Sequence, residues 1–161
     1  MFNANIPEGI RSKLMRAYIR HLQSNPVLSG LIKTWDDMPG TAEDHRVIPL
    51  ERCPAIRFTY SAPGPFPQTF TSQKADFVIN MEVILPGTNQ YAMIDTWEVI
   101  EAATDQFFTL DKKFREVVAN DPRYVFGTAF LSNTAINHNK YRNPPCLSGT
   151  GALTIVGNIR R

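Results

Sequence analysis

The sequence predicts a single α+β domain in which helices pack on one face of a four-stranded, mainly antiparallel sheet. Three observations favour this fold: an alternating segment from Asp76 to Leu85, an amphipathic segment from about Asn89 to Phe108, and the order helix, strand, strand, helix, strand, strand. The chain has 161 residues, 43% of them hydrophobic, which is enough for one core and too short for two domains. We therefore expect residues 1–161 to form one domain.

The first predicted element is a helix that opens with a capping box. Asn5 is followed three residues later by Glu8, with Pro7 in the first turn. Apolar residues then recur at every fourth position before a stop at Asn25-Pro26, and they are Ile10, Leu14, Tyr18 and Leu22. Cations lie beside this apolar stripe, which favours a solvated helix face over a nucleic-acid site.

Alternating side chains predict the strands. They are expected at Ala55 to Tyr60, Asp76 to Leu85, Tyr124 to Leu131 and Gly149 to Ile159. Pro86-Gly87 ends the second strand, because proline cannot donate to a strand ladder and glycine tolerates the positive φ of a type II turn. The stretch from Val27 to Leu50 is predicted to be irregular, and residues 132–148 are predicted to form a polar loop.

The predicted central helix carries carboxylates on the side opposite its apolar face. At about 100° per residue, these acids gather together, and they are Asp95, Glu98, Glu101 and Asp105. Three interpretations are open: an acid/base or divalent-metal site, a solvated helix face, or the lining of a channel in which the acids repel DNA phosphates. The third interpretation requires a ring.

The connection between the first two predicted strands, residues 61–72, is longer than an ordinary hairpin loop. Prolines stiffen it and two phenylalanines give it apolar tips, so the residues of interest are Pro63, Pro65, Phe66 and Phe70. Long, stiff, apolar loops are typical of contact arms. The alternative is a loop folded back over its own sheet. A basic pair, Arg160-Arg161, is expected to form an exposed tail.

The sequence contains none of the standard catalytic signatures: no P-loop, no glycine-rich dinucleotide turn, no HExxH, no GxSxG and no CxxC. The three histidines and two cysteines lack the close pairs that zinc sites show, so we expect no metal, no cofactor and no enzymatic activity. No apolar run approaches the roughly 20 residues of a membrane helix. The cations of the first helix interrupt any signal-peptide core, which indicates a protein that stays in the cytoplasm where it is made.

A nucleic-acid-binding module with a ferredoxin-like fold is an alternative from a different functional class. In that interpretation Tyr124, Phe126 and Phe130 would stack on bases, and the terminal arginines would contact phosphates. A net charge of +2 argues against extensive phosphate binding.

Several segments together resemble the tail terminator proteins of long-tailed bacteriophages, which are also called tail completion or minor tail proteins. The features are the basic first helix, the strand Cys-Pro-Ala-Ile-Arg-Phe, the strand Asp-Phe-Val-Ile-Asn-Met-Glu-Val-Ile-Leu, the helix Met-Ile-Asp-Thr-Trp-Glu-Val-Ile-Glu-Ala-Ala, and two late strands. The resemblance covers most of the chain by element order and is one of architecture and size, without a diagnostic motif.

This resemblance implies a structural virion protein without an active site, assembled in the host cytoplasm and located in the tail or neck. It would form a six-fold ring that caps the tail tube and offers its other face to the neck or head connector. The partners would be further copies of the chain, the tail tube protein and the neck protein, with DNA passing through the lumen without specific binding. By analogy, the loop from Pro63 to Phe70 would reach a neighbouring subunit or the tube, and the acidic helix face would line the lumen. A head-tail stopper in the neck is the alternative within this class.

Overall fold

A computed structural model describes residues 6–36, 48–139 and 145–161 of the chain. The fold is α+β, as predicted, with helices on a mixed sheet. The predicted four-stranded sheet and its element order are wrong, because the described residues form six strands and four α-helices. Two of these strands are only three residues long, and so carry too few side chains to show an alternating pattern.

The helices are α1 (Ile10–Ser24), α2 (Pro26–Leu31), α3 (Gln90–Thr109) and α4 (Lys112–Ala119), with a 3-10 turn at Leu50–Arg52. The strands are β1 (Thr34–Asp36), β2 (Ala55–Ser61), β3 (Ser72–Lys74), β4 (Phe77–Pro86), β5 (Tyr124–Asn139) and β6 (Cys146–Arg160).

In the sheet, β1, β2, β4 and β6 lie side by side, and β5 pairs with the other edge of β6. The pairing of β1 with β2 is parallel, whereas the remaining pairs are antiparallel. The short strand β3 pairs with the last residues of β6, where Gln73 lies opposite Ile159. Strand β3 therefore lies on the same edge of β6 as β4, beyond the first residue of β4.

The predicted polar loop at residues 132–148 is wrong over most of its length. Strand β5 continues to Asn139 and β6 already begins at Cys146, with Ser132 opposite Ala152 and Asn137 opposite Ser148. Polar side chains do not prevent pairing here, because backbone groups form the ladder whatever side chains they carry. The predicted connection at 61–72 is shortened at both ends, by Ser61 in β2 and Ser72 in β3.

The ends of the helices differ in part from expectation. Helix α1 begins at Ile10 after Gly9, which makes no side-chain capping bond, and Glu8 instead pairs with Arg16 at 3.3 Å. The other half of the predicted capping box, Asn5, lies outside the described residues. Asn25 ends α1 as predicted, and its side chain also caps α2. Asp111 caps a separate α4 by accepting a bond from Phe114 N at 3.0 Å.

The core lies between the helices and the face of the sheet that carries alternate residues of β4. The predicted inward side chains of β4 and the apolar face of α3 are all buried: Phe77, Ile79, Met81, Val83, Leu85, Met93, Trp97, Ile100, Ala103, Thr104 and Phe107. Trp97 lies directly on Gly149 and Gly151 of β6. A Cβ added at Gly151 would come within 2.7 Å of the indole ring, so these glycines let α3 approach the sheet closely.

A second, smaller core lies at the β4 C-terminal end, on the opposite side of the sheet. It contains Ile48, Ala55 and Ile84 together with the two cysteines, Cys53 and Cys146. Both cysteines are buried thiols, and they pack among the apolar side chains of this second core.

Candidate interaction surfaces

Within residues 6–36, 48–139 and 145–161, no group of three or more His, Cys, Asp or Glu residues is placed to hold a metal ion. Among these same residues, none of the helices combines the length and apolar character needed to cross a bilayer. Four surfaces of the domain are the candidate functional features.

The first surface is the arm, which we define as residues 62–71 between β2 and β3. A tight turn closes its end, since Thr69 N donates to Ser72 O at 2.7 Å and Ser72 N donates to the Thr69 hydroxyl at 3.0 Å. A bond from Lys74 N to Pro67 O, at 3.2 Å, ties the returning chain to the outgoing one. Phe70 sits in the turn and is 100% exposed.

The two phenylalanines of the arm have different environments. Phe66 is half-buried, and the Arg11 guanidinium carbon lies 4.9 Å from its ring centroid, a cation–π contact with α1. Pro63 and Pro65 are exposed. The base of the arm therefore folds back on the domain at Phe66, while Phe70 projects into solvent. An interface role for these four residues stays a prediction.

The fold brings the arm and Arg160-Arg161 together. The backbone N–H of Arg161 donates to Thr71 O at 2.9 Å, and its guanidinium donates to the Gln68 side chain. Arg160 and Arg161 are both exposed. Two segments predicted separately, about 90 residues apart, thus form one surface that combines an exposed aromatic ring with two guanidinium groups.

A polar cluster that sequence reasoning missed lies beneath this surface. Asp76 accepts a bond from Gly157 N at 3.2 Å and pairs with Lys74 at 3.6 Å. Burial raises the pKa of Tyr124 to about 12; the nearby Asp76 carboxylate adds to the rise and Arg11 lowers it. The Tyr124 hydroxyl is buried with no hydrogen-bond partner in the described part of the chain. The cluster joins the first helix, the arm and the final strand.

The second surface is the acidic side of α3. All four predicted carboxylates, Asp95, Glu98, Glu101 and Asp105, are exposed. At about 100° per residue, Glu98, Glu101 and Asp105 fall within an arc of roughly 60°. Asp95 lies further round the helix, on the side that faces α2.

The third surface is an apolar groove, which the sequence did not reveal. It lies between α2, the end of β4 and the first turns of α3, and has a volume of about 330 Å³. Its walls are largely aliphatic, with Asp95 and Thr96 as polar members. Val27 and Leu31 in α2 are 57% and 38% exposed. The sequence feature that could have indicated this groove is the apolar segment after Asn25-Pro26, which forms α2 and lies in a stretch predicted to be irregular.

The fourth surface is the face of the sheet opposite the helices. Its central part is a polar concavity of about 370 Å³ that includes Thr59, Asn80 and Thr150. Arg57 lies in it, with its Nε 3.2 Å from an Asp36 carboxylate oxygen and its Nη1 3.9 Å from Glu82. Among the described residues, no helix lies over this polar part of the sheet face, which agrees with the prediction that helices pack on one side of the sheet.

The aromatic residues proposed to stack on bases do not share a surface. Tyr124 is buried, and Phe126 packs on the helix side, with ring centroids 5.6 Å from Phe108 and 5.0 Å from Phe114. Phe130 is 55% exposed and belongs to the opposite sheet face. A stacking platform made of these three residues is therefore not present.

Neither a known protein-family model nor a curated protein sequence matches this chain.

Proposed function

We propose that this protein is a structural subunit of a bacteriophage particle, a tail terminator that forms a ring on the tail tube and joins it to the neck or head. The observation that supports this proposal is the combined surface of the arm, with its fully exposed Phe70 beside exposed Arg160 and Arg161. Aromatic and arginine side chains are enriched at the centres of protein interfaces. A proline-stiffened arm also loses little entropy on docking.

In this proposal the protein has no catalytic role and needs no cofactor. Its partners are further copies of the chain, in a ring of six, together with the tail tube protein and the neck or connector protein. The exposed carboxylates on α3 would face the lumen, where their charge repels the DNA phosphates and lets the duplex pass. A neck stopper protein would use the same surfaces and is the second candidate.

Electron microscopy of phage particles made without this protein tests the proposal. A terminator stops the tube, so we expect overlong tails or tails without heads in its absence. A stopper acts on the neck, so its loss leaves tails of normal length that lack filled heads. Joined particles with tails of normal length would overturn the assignment to this class.

Complementation with single variants tests the surface itself. Phe70→Ser should reproduce the tail defect, because it removes the exposed ring without touching the core. Phe130→Ser is the matched control, since Phe130 is also exposed but lies on the opposite sheet face. Equal tail defects in both variants would argue against the arm as the assembly surface.

A further inference from the structure

We propose that the arm of one copy of this chain inserts Phe70 into the apolar groove of the next copy, so that copies join head to tail. This inference rests on the proposed function, and it adds the surface that the arm meets. It follows from the positions, shapes and charges of the arm and the groove.

The arm and the groove lie at opposite ends of the same strands. Strand β2 begins after Pro54 in the groove wall and ends at Ser61, where the arm starts. Strand β4 begins near the arm at Phe77 and ends at Pro86, in the groove. Ten residues of strand span about 30 Å, at roughly 3.3 Å per residue. Because backbone bonds hold the arm to its own sheet end, Phe70 cannot fill the groove of its own copy.

The two surfaces match in polarity. Phe70 is 100% exposed, and the groove leaves Val27 and Leu31 of α2 partly exposed. A groove of about 330 Å³ falls at the lower end of the range for small-ligand pockets, which suits a single inserted side chain. Docking removes both apolar surfaces from water, and this transfer drives association.

The two surfaces carry charged side chains of opposite sign. Arg160 and Arg161 are exposed beside the arm, whereas Asp95 lines the groove. Bringing the arm of one copy to the groove of another therefore sets guanidinium groups against the Asp95 carboxylate. This complementarity favours a second copy as the occupant. It also assigns Asp95 to the subunit contact and leaves Glu98, Glu101 and Asp105 for the lumen.

A contact between two different surfaces has a definite consequence for symmetry. Each copy offers one arm and one groove, so a head-to-tail dimer keeps one unused arm and one unused groove and can add further copies. A ring forms if the rotation between successive copies closes, and an open filament forms if it does not.

Cysteine cross-linking tests the contact directly. In the variant Thr71→Cys/Val27→Cys, each copy keeps the Phe70 ring and carries one reactive arm and one reactive groove. Thr71 is exposed beside Phe70. Treatment with a short bismaleimide at high protein concentration should give a ladder of dimers, trimers and larger species on a denaturing gel. The native Cys53 and Cys146 are buried and should not react. A mixture of the two single variants should stop at the dimer, because each copy then carries only one reactive site.

A matched pair controls for random collision. Gln106 is exposed on α3 away from the groove, so Thr71→Cys/Gln106→Cys should give no ladder. Asp95→Lys added to the first pair should reduce the ladder about fivefold at low salt. Asp105→Lys, which changes an exposed acid outside the groove, should not reduce it.

A ladder no stronger than that of the control pair would overturn the inference. If the ladder is no stronger than the control but particles lacking the protein have overlong tails, the terminator assignment stands and the arm docks on the tube protein instead. If the ladder forms but the tails are normal, copies associate as inferred and the terminator assignment fails.

Discussion

A buried hydrogen bond between α1 and α3 should respond unequally to the loss of its two partners. The Tyr18 hydroxyl lies 2.7 Å from the Thr104 hydroxyl, which in turn donates to Ile100 O at 2.7 Å. Since the Thr104 proton is used in that second bond, Tyr18 donates to Thr104. Both side chains are buried, and burial raises the pKa of Tyr18 above its ordinary value.

The variant Thr104→Val keeps the shape of the side chain and removes the acceptor. The Tyr18 hydroxyl then has only the Met81 sulfur, 3.8 Å away, which is a weak acceptor. A buried donor without a good acceptor lowers the free energy of unfolding by about 1–3 kcal/mol. Tyr18→Phe instead removes the donor and leaves Thr104 bonded to Ile100, so it should cost only about 0.5–1.5 kcal/mol.

The double variant Tyr18→Phe/Thr104→Val replaces both partners by apolar groups. Because no unpaired hydroxyl remains, it should be more stable than Thr104→Val alone, by about 1 kcal/mol. Urea unfolding of the four proteins, followed by circular dichroism, gives the free energies. Equal losses for the two single variants, with an additive double variant, would refute the assigned direction of the bond.

Three further outcomes follow from other contacts. Gly151→Ala places a Cβ 2.7 Å from the Trp97 ring and should lower the free energy of unfolding by about 1–3 kcal/mol. Gly30→Ala, in open space within a helix, should raise the free energy of unfolding by about 0.5–1 kcal/mol. Chemical denaturation measures both changes. The pKa of Tyr124 is about 12 in the folded state and about 10 in the unfolded state, so the free energy of unfolding should fall as the pH rises from 10 to 12. The fall should be smaller in Tyr124→Phe. Melting temperatures that fall equally in the two proteins would contradict this. Asp111→Ala removes the cap of α4 together with the contact between Asp111 Oδ2 and His21 Nδ1 at 2.9 Å, and should cost about 1–2 kcal/mol by urea unfolding. Asp111→Asn, which can still cap, should cost less.

The predictions that relied on side-chain periodicity agree best with the structure. The alternating pattern of β4 and the apolar face of α3 were assigned to the core residue by residue, since burial of one face is what produces such patterns. The exposure of Asp95 and its three acidic neighbours followed from the same argument.

The errors have a common physical cause. Strand β1 pairs in parallel with β2, and β3 pairs with the end of β6, so both depend on distant partners that leave little local signal. The late polar run was predicted as a loop because its residues are typical of turns, yet pairing with β6 holds it in a strand up to Asn139. In the same way, the groove exists only because α2, β4 and α3 converge.

The sequence by itself determined the α+β class, the buried faces of β4 and α3, and the stiff apolar connection between β2 and β3, because each is written in local periodicity or composition. Only the tertiary structure decided that Arg161 bonds to the arm, that Phe66 is anchored while Phe70 is free, and that an apolar groove opens at the far end of the same strands. These features depend on which distant segments meet, and contact between distant segments is set by the packing of the whole chain.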